Sequence, residues 1–446
     1  MLSEALAPLA ASPSLLLAVS GGPDSLALMH AAVAAFPTKR IAAATVDHGL
    51  RPEAAAEADF VAARAASLGI AHFTLRLDAP PRRAVQASAR HGRYRLLAAL
   101  ARREGFSAIV TAHHAGDQAE TVAMRIARGS GLAGLAGIRA HSAFDGVRVM
   151  RPLLGIAPEE LREIALGFGP VVDDPSNADT RFERVRVRRA LDANARTRLN
   201  GIAARAGAIR TRREVAIAGL IGRCLAFDAH GNAVASREAL AEEPAARLAE
   251  ALSFAAAAIA GRAHRPARDA VRRFAASVLA GRGATLGGCR ALVAGEKVFL
   301  FREWGRCGPA AAAPGAPVWD KRFALSGNAD VAIGPLGDNA FEDVLRERFS
   351  YLPSAARRVL PAVFSPAGDF VAVAGGDPHM AARATWTGEA RLSLLGAPAS
   401  AAFTKFGDRA GASLSKARPR PYVKETTRVG HSPDAGPHNI EASRHT

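Results

Sequence analysis

Leu15-Leu16-Leu17-Ala18-Val19-Ser20-Gly21-Gly22-Pro23-Asp24-Ser25-Leu26 decides the reading of this chain. An apolar run leads in, and Leu26, Met29, Ala32 and Val33 recur at helical spacing on the way out, so the middle is a strand-to-helix turn. Two adjacent glycines let the backbone pass close to a ligand with its N–H groups turned toward an anion, and the following helix adds its positive end. Ser20, Gly21, Gly22, Pro23, Asp24 and Ser25 thus form a phosphate cradle. It is neither a Walker loop, because no Gly-Lys-Ser/Thr follows, nor G-x-G-x-x-G. A carboxylate at Asp24 repels phosphates unless a divalent cation, Mg²⁺ above all, lies between them. A tight turn with Asp24 or Ser25 as a helix N-cap accounts for the same six residues, and on those residues alone both readings stand.

Beyond the cradle, strands and helices alternate. Residues 41–46 read as a buried strand ending at Asp47-His48-Gly49-Leu50-Arg51. A helix follows up to the stop at Gly69, then a strand over 71–77, a helix over 87–103 closed by Gly105, and a strand over 107–112. This order specifies an α/β fold with a doubly wound parallel sheet, whose ligands sit off the strand C-termini where strand order reverses. Polar residues stand at three such ends: Ser20 to Ser25, Asp47-His48, and His113-His114-Ala115-Gly116-Asp117-Gln118. Adjacent histidines in a strand point to opposite faces, so one of the pair, His114 by preference, faces the site. Asp117 falls at the N-cap of the next helix with Glu120 at its third position, a capping box that accounts for both carboxylates without chemistry.

The SGGPDS of 20–25 resembles the signature of the PP-loop ATP pyrophosphatases. Together with VDHGLR at 46–51, ARHGRY at 89–94, HHAGDQAETVAMRIARGSGLAGLAG at 113–137, Arg151-Pro152-Leu153-Leu154 and DDPSNADTRFERVRVRR at 173–189, it resembles the tRNA(Ile)-lysidine synthetase family over about the first 200 residues. There are two departures. Gly116 stands where the family usually has the first of two acids, which leaves Asp117 alone to inherit a metal or catalytic role. Val185 stands where an asparagine is usual, which weakens one expected RNA contact.

The net charge of +17 points to a polyanionic partner, nucleic acid first. Eleven arginines against two acids fall between Arg181 and Arg213, over half the net charge. A solvated helix face is the ordinary account of such a run, but beside an adenylating site the guanidinium fork suits RNA phosphate. Three cysteines, Cys224, Cys289 and Cys307, are too few and too scattered for a disulfide frame or a zinc site. No apolar run reaches the length of a membrane span and no signal peptide is legible, so a cytoplasmic protein without a membrane partner is expected.

At 446 residues the chain is expected to hold more than one domain. The divisions read as a catalytic ATP-binding domain over 1–205, a helical or α+β tRNA-binding domain over 206–307, a small C-terminal domain over 318–412 after an alanine- and proline-rich linker, and a disordered tail over 413–446. Within the second, residues 216–228 and 233–236 flank a turn at 230–232, and 285–292 with 297–302 read as a hairpin across 294–296. In the third, short strands are expected at 331–333 and 370–373 and a helix at 341–349. The smaller C-terminal domains are therefore α+β.

The resemblance implies a two-step reaction on the wobble cytidine, position 34, of tRNA(Ile) with anticodon CAU. Its C2 oxygen attacks the α-phosphate of ATP and pyrophosphate leaves; the ε-amine of free L-lysine then attacks C2 and AMP departs, giving lysidine and changing the codon read from AUG to AUA. With that reaction the residue types assign Asp24 and Asp117 to a shared Mg²⁺ and to catalysis, His48 or His114 to the phosphate or the leaving group, Glu120 either to the lysine ammonium or to the capping box alone, and Arg181, Arg184, Arg186 and Arg188 to the tRNA. The reading leaves room for a homodimer. The alternatives are a tRNA thiolase of the same fold, which needs paired cysteines absent here, a non-catalytic RNA-binding protein with a residual nucleotide site, and a small-molecule amidotransferase, which leaves the arginines without a purpose.

Overall fold

The computed structural model describes residues 2–47, 54–77, 85–173, 179–262, 264–308, 311–312, 318–326, 331–374, 383–388 and 392. Strands β1 (Leu15–Ala18), β2 (Ile41–Asp47), β3 (Ala71–Arg76), β4 (Ala108–Thr111), β5 (His141–Phe144) and β6 (Val147–Met150) form one sheet in the order β3-β2-β1-β4-β6-β5. β1 pairs in parallel with both β2 and β4, Leu15 opposite Ile41 on one side and Ala108 on the other. Only the edge strand β5 runs antiparallel, on β6. The chain steps outward from β1 through β2 to β3, then crosses to β4, so strand order reverses between β1 and β4.

Both faces of the sheet are covered at its centre, which is why β1, β2 and β4 are buried along nearly their whole length rather than alternating. Leu15, Leu17 and Val19 pack with Leu26, Met29, Val61 and Leu161, from the helices Pro23–Ala35, Ala54–Ser67 and Pro158–Gly167. Leu16, on the opposite face, packs with Tyr94, Leu97 and Leu100 of the helix Val85–Arg103.

A second body begins within the helix Ala193–Cys224, capped by the Asp192 carboxylate, which accepts from Ala195 N at 2.6 Å. The boundary expected at 205/206 lies inside this unbroken helix, and the stretch 216–228 is helical as far as Cys224. Its C-terminal half packs through Ile217, Leu220 and Ile221 with the helices Ala245–Ile259 and Arg268–Leu279. These helices lie on a five-stranded sheet formed by Ala226–Phe227, Ala233–Ser236, Lys297–Arg302, Cys289–Ala294 and Ala284–Leu286. The expected strand 285–292 is broken in two because Gly287 and Gly288, at φ 58° and 95°, reverse the chain there.

Further on, Ala332–Pro335, Pro361–Phe364 and Phe370–Val373 pair in antiparallel fashion, with Asp343–Arg348 as the helix. Ala311–Ala312 pairs with Ala332–Pro335 at the edge of that sheet, and two further pairs join Val318–Trp319 to Phe323–Ser326 and the latter to Arg383–Trp386. The expected tail over 413–446 lies outside the described residues.

Candidate active site

The turn after β1 is held open by its glycines. Gly21 has φ 84°, and a Cβ there would stand 2.9 Å from Val172 Cγ2. Val172 N also donates to Gly21 O at 2.9 Å, so the 170–173 segment closes against the loop and admits only glycine. Ser25 braces the loop from inside: its Oγ accepts from Ser20 N at 3.1 Å and donates to Gly22 O at 2.9 Å. The helix Pro23–Ala35 starts with Gly22 at its N-cap, Pro23 in its first turn and no side chain capping it. Its end is the uncapped kind that receives an anion.

At the end of β4 the two histidines diverge as strand geometry requires. His113 Nδ1 lies 2.7 Å from Thr111 Oγ1, and its Nε2 accepts from Arg90 at 3.2 Å. An arginine cannot accept, so Nε2 is bare and the ring neutral. Burial, then the charges of Arg90, Arg151, Arg93 and Arg184, push its pKa down to about 2. His114 turns the other way. Its Nδ1 accepts from Gly116 N at 3.0 Å and Asp117 N at 3.3 Å, which leaves the proton on Nε2. That nitrogen lies 3.4 Å from Asp24 Oδ2 and 3.7 Å from Asp117 Oδ2. Burial alone would lower the His114 pKa, but the bond to Asp24 and the charges of Asp117, Asp24 and Glu120 outweigh it, and the net direction is up.

His114 thereby also caps the helix Ala115–Ala127, with Asp117 Oδ2 accepting from His114 N at 3.1 Å in return. The capping box expected at Asp117 and Glu120 therefore sits three residues earlier, and it leaves Glu120 free of any capping role. Glu120 is buried, 2% exposed. Its Oε2 accepts from Arg184 Nε and its Oε1 from Arg188 Nε, each at 2.6 Å, while Arg184 Nη2 donates to Asp117 Oδ1 at 2.7 Å. The Gly116 departure has a local reason: a Cβ at 116 would meet His114 Cε1 at 2.8 Å. Val185 is buried under the helix Glu183–Ala190, where an apolar side chain fits.

The structure thus brings Asp24, His114, Asp117, Glu120, Arg184 and Arg188 together. Arg181 is apart and exposed, paired with Asp179 at 2.7 Å, and Arg186 donates to the carbonyls of Thr180 and Arg181. His48 lies outside the described residues. Three residues near the site had no role in the sequence reading. Arg90 and Arg93 stand over the Tyr94 ring, and Arg151 reaches Tyr94 Oη at 3.3 Å. The ARHGRY run and the arginine directly after an apolar strand were the available signals.

Among the described residues no group of three His, Cys, Asp or Glu side chains gathers as an all-protein metal site. Asp24 and Asp117 offer hard carboxylate oxygens beside an anion-receiving helix end, the donor set that suits Mg²⁺ shared with phosphates. Among the described residues no helix is long and apolar enough to cross a membrane.

The PP-loop domain family matches residues 2–194. A tRNA(Ile)-lysidine synthase from Ruegeria pomeroyi is 36% identical over 369 residues, 80% of this chain and 87% of that protein. One from Methylobacterium nodulans is 43% identical over 266 residues, covering 58% and 78% respectively. One from Novosphingobium aromaticivorans is 54% identical over 195 residues, where the match spans 43% of this chain and 59% of the relative's length.

Proposed function

This chain belongs to the tRNA(Ile)-lysidine synthase family, and we propose that it joins L-lysine to C2 of the wobble cytidine of tRNA(Ile) with a CAU anticodon, at the expense of ATP. The observation that carries this reading is His114 Nε2 standing between Asp24 of the cradle and Asp117 of the β4 end, which unites the two strand ends where order reverses. Backbone N–H groups of Gly21 and Gly22 receive the ATP phosphates, with the end of the helix Pro23–Ala35 behind them. Asp24 and Asp117 would hold Mg²⁺, which supplies charge neutralisation at the phosphates.

The first step is attack of the cytosine C2 oxygen on the α-phosphate with loss of pyrophosphate, a reaction that depends on placement and charge more than on a protein nucleophile. His114, fixed by two backbone N–H groups, presents one N–H between the carboxylates and keeps them oriented. In the second step the lysine ε-amine attacks C2 and AMP leaves. We assign the incoming ammonium to Glu120, reached by displacing Arg188, the more exposed of its two partners at 44% against 34%. Arg181 and Arg186, exposed and bonded only locally, are left for the tRNA.

The thiolase alternative is disfavoured by the cysteines. Cys224 and Cys289 are buried, none of the three stands at the site, and burial pushes Cys289 up to about 12 and Cys307 up to about 11, far from thiolate chemistry. The test is incorporation of labelled lysine into unmodified isoleucine tRNA, with ATP and Mg²⁺, against the same tRNA carrying uridine at the wobble position. Label in the first alone is the expected result. Pyrophosphate release without label in either would keep an adenylating RNA enzyme and overturn lysine as the nucleophile.

A further inference from the structure

Beside the site, five arginines converge on one cavity of about 320 Å³: Arg90, Arg125, Arg139, Arg151 and Arg210, with Ser142 among the remaining lining residues. They come from far apart in the chain. Arg90 lies on the helix Val85–Arg103 and Arg125 on the helix Ala115–Ala127; Arg151 directly follows β6, and Arg210 projects from the long helix Ala193–Cys224. Ser142 lies in β5, opposite Val149 of β6. The cavity therefore opens at the C-terminal end of β6, the same edge of the sheet on which β1 carries the cradle and β4 carries His113 and His114.

One acid answers this charge. Glu214 takes both prongs of Arg139, at 2.8 and 2.5 Å. The others are aimed by neutral acceptors. Arg125 donates to the carbonyls of Gly134 and Gly137, Arg151 to the Arg139 carbonyl and Ser142 Oγ, and Arg90 to His113. Those bonds orient the guanidiniums and leave their charge uncompensated. Among the described residues the buried Nε of Arg210 has no partner, and Glu214 reaches that guanidinium by charge alone. Burial pulls Arg90, Arg125 and Arg210 below the ordinary arginine value, and for Arg90 and Arg210 the charges of neighbouring arginines push the same way. Such an arrangement is unfavourable until an anion enters it.

We propose that the cavity binds the phosphodiester next to the target cytidine. This rests on the RNA-modifying reading above. Guanidinium forks match phosphate oxygens in pairs. Neighbouring strands are about 4.8 Å apart, so an RNA whose reactive base lies over β4, beside a nucleotide at β1, carries its flanking phosphate to β6. The cavity is also at the lower end of the range that takes a nucleotide-sized group, about 300 Å³ and above. Free pyrophosphate is the other source of the same chemistry, and the test separates the two.

Binding of an anticodon stem-loop is measured for the wild-type chain and for Arg210→Gln across a salt series, with the native RNA and with RNAs carrying one neutral methylphosphonate at the linkage 5′ or 3′ to the target cytidine. A melting curve checks the fold of the variant. Arg210→Gln is expected to bind the native RNA about tenfold more weakly, the worth of one charge-assisted hydrogen bond. The slope of log K against log salt should fall by about 0.7. One of the two neutral linkages should weaken wild-type binding by a similar factor and add nothing to the loss in Arg210→Gln. Fully additive losses, or indifference to both linkages, overturn the proposal. So does unchanged RNA binding with weakened inhibition by free pyrophosphate, which assigns the cavity to the leaving group. RNA-dependent pyrophosphate release is read separately in the wild type. Its absence alongside the expected binding pattern would sink the functional reading and leave the phosphate site standing.

Discussion

At the end of β4, two carboxylates, Asp117 and Glu120, are met by two arginines of the helix Glu183–Ala190, and the charges cancel. At the end of β6, one strand away, five arginines are met by one carboxylate, Glu214. Arg184 and Arg188 belong to the run that stands out in the sequence, and they are spent inside the protein, while Arg210 of the same run joins the second group. The second is dispersed over more than a hundred residues and keeps most of its charge. Local charge density therefore marks where arginines are made, and the acids that share their space decide which of them are available to a polyanion.

The strongest way to break this contrast is to remove the acids. Asp24→Ala should reduce pyrophosphate release about a thousandfold with the circular dichroism spectrum intact, because it deletes one of the two carboxylates at the phosphates. An active variant would mean that the acidic end holds no metal. Glu120→Gln keeps an acceptor oxygen for one of the two arginines, turns an amide NH2 toward the other, and removes the charge that balances them. It should raise the KM for lysine about thirtyfold, since a charged group is replaced at the proposed ammonium site, and it should tighten nonspecific RNA binding as Arg184 and Arg188 become unneutralised. If the lysine KM stays unchanged, Glu120 serves only to place the arginines.

The neighbouring histidines sharpen the same comparison through pH. His113 faces the arginines, and its folded pKa of about 2 lies below the ordinary 6.5. The unfolded chain then binds the extra proton, so the stabilisation is complete above pH ~6.5 and is lost as pH falls toward ~2. Between pH ~6.5 and ~5 the loss should be about 1.5 kcal/mol. Denaturant unfolding of His113→Asn should show that much less acid sensitivity over this interval, and an unaltered profile would mean that His113 carries a proton in the folded state. The smallest effect is expected from Arg181→Ala with Arg186→Ala, exposed side chains bonded only to their own turn. Together they should raise the KM for tRNA about fivefold with kcat unchanged. A loss in kcat would place them at the reaction.

Much of the catalytic half was legible before any coordinates. The turn after β1 could be read because Gly21, at φ 84°, answers a local backbone demand, and the parallel sheet because buried strands and amphipathic helices alternate along the chain. The divergence of His113 and His114 followed from strand pleating. The helix cap was misplaced by three residues because a histidine is a rare N-cap, although the geometry of His114 Nδ1 makes it an effective one. The 284–294 region was misread because Gly287-Gly288 lies inside an otherwise continuous strand pattern.

What the sequence alone determined is the set of local conformations: a strand, a glycine turn, a helix start with a carboxylate in its first turn, and polar residues at successive strand ends. These depend on each residue and its near neighbours, through steric limits on φ and ψ and through periodicity. Only the tertiary structure decided which charges are cancelled. Arg184 finds Glu120 across 64 residues and Arg139 finds Glu214 across 75, whereas the buried Nε of Arg210 finds no acceptor among the described residues. Electrostatic energy depends on distance in space and on the water excluded between groups, and neither is set by position along the chain.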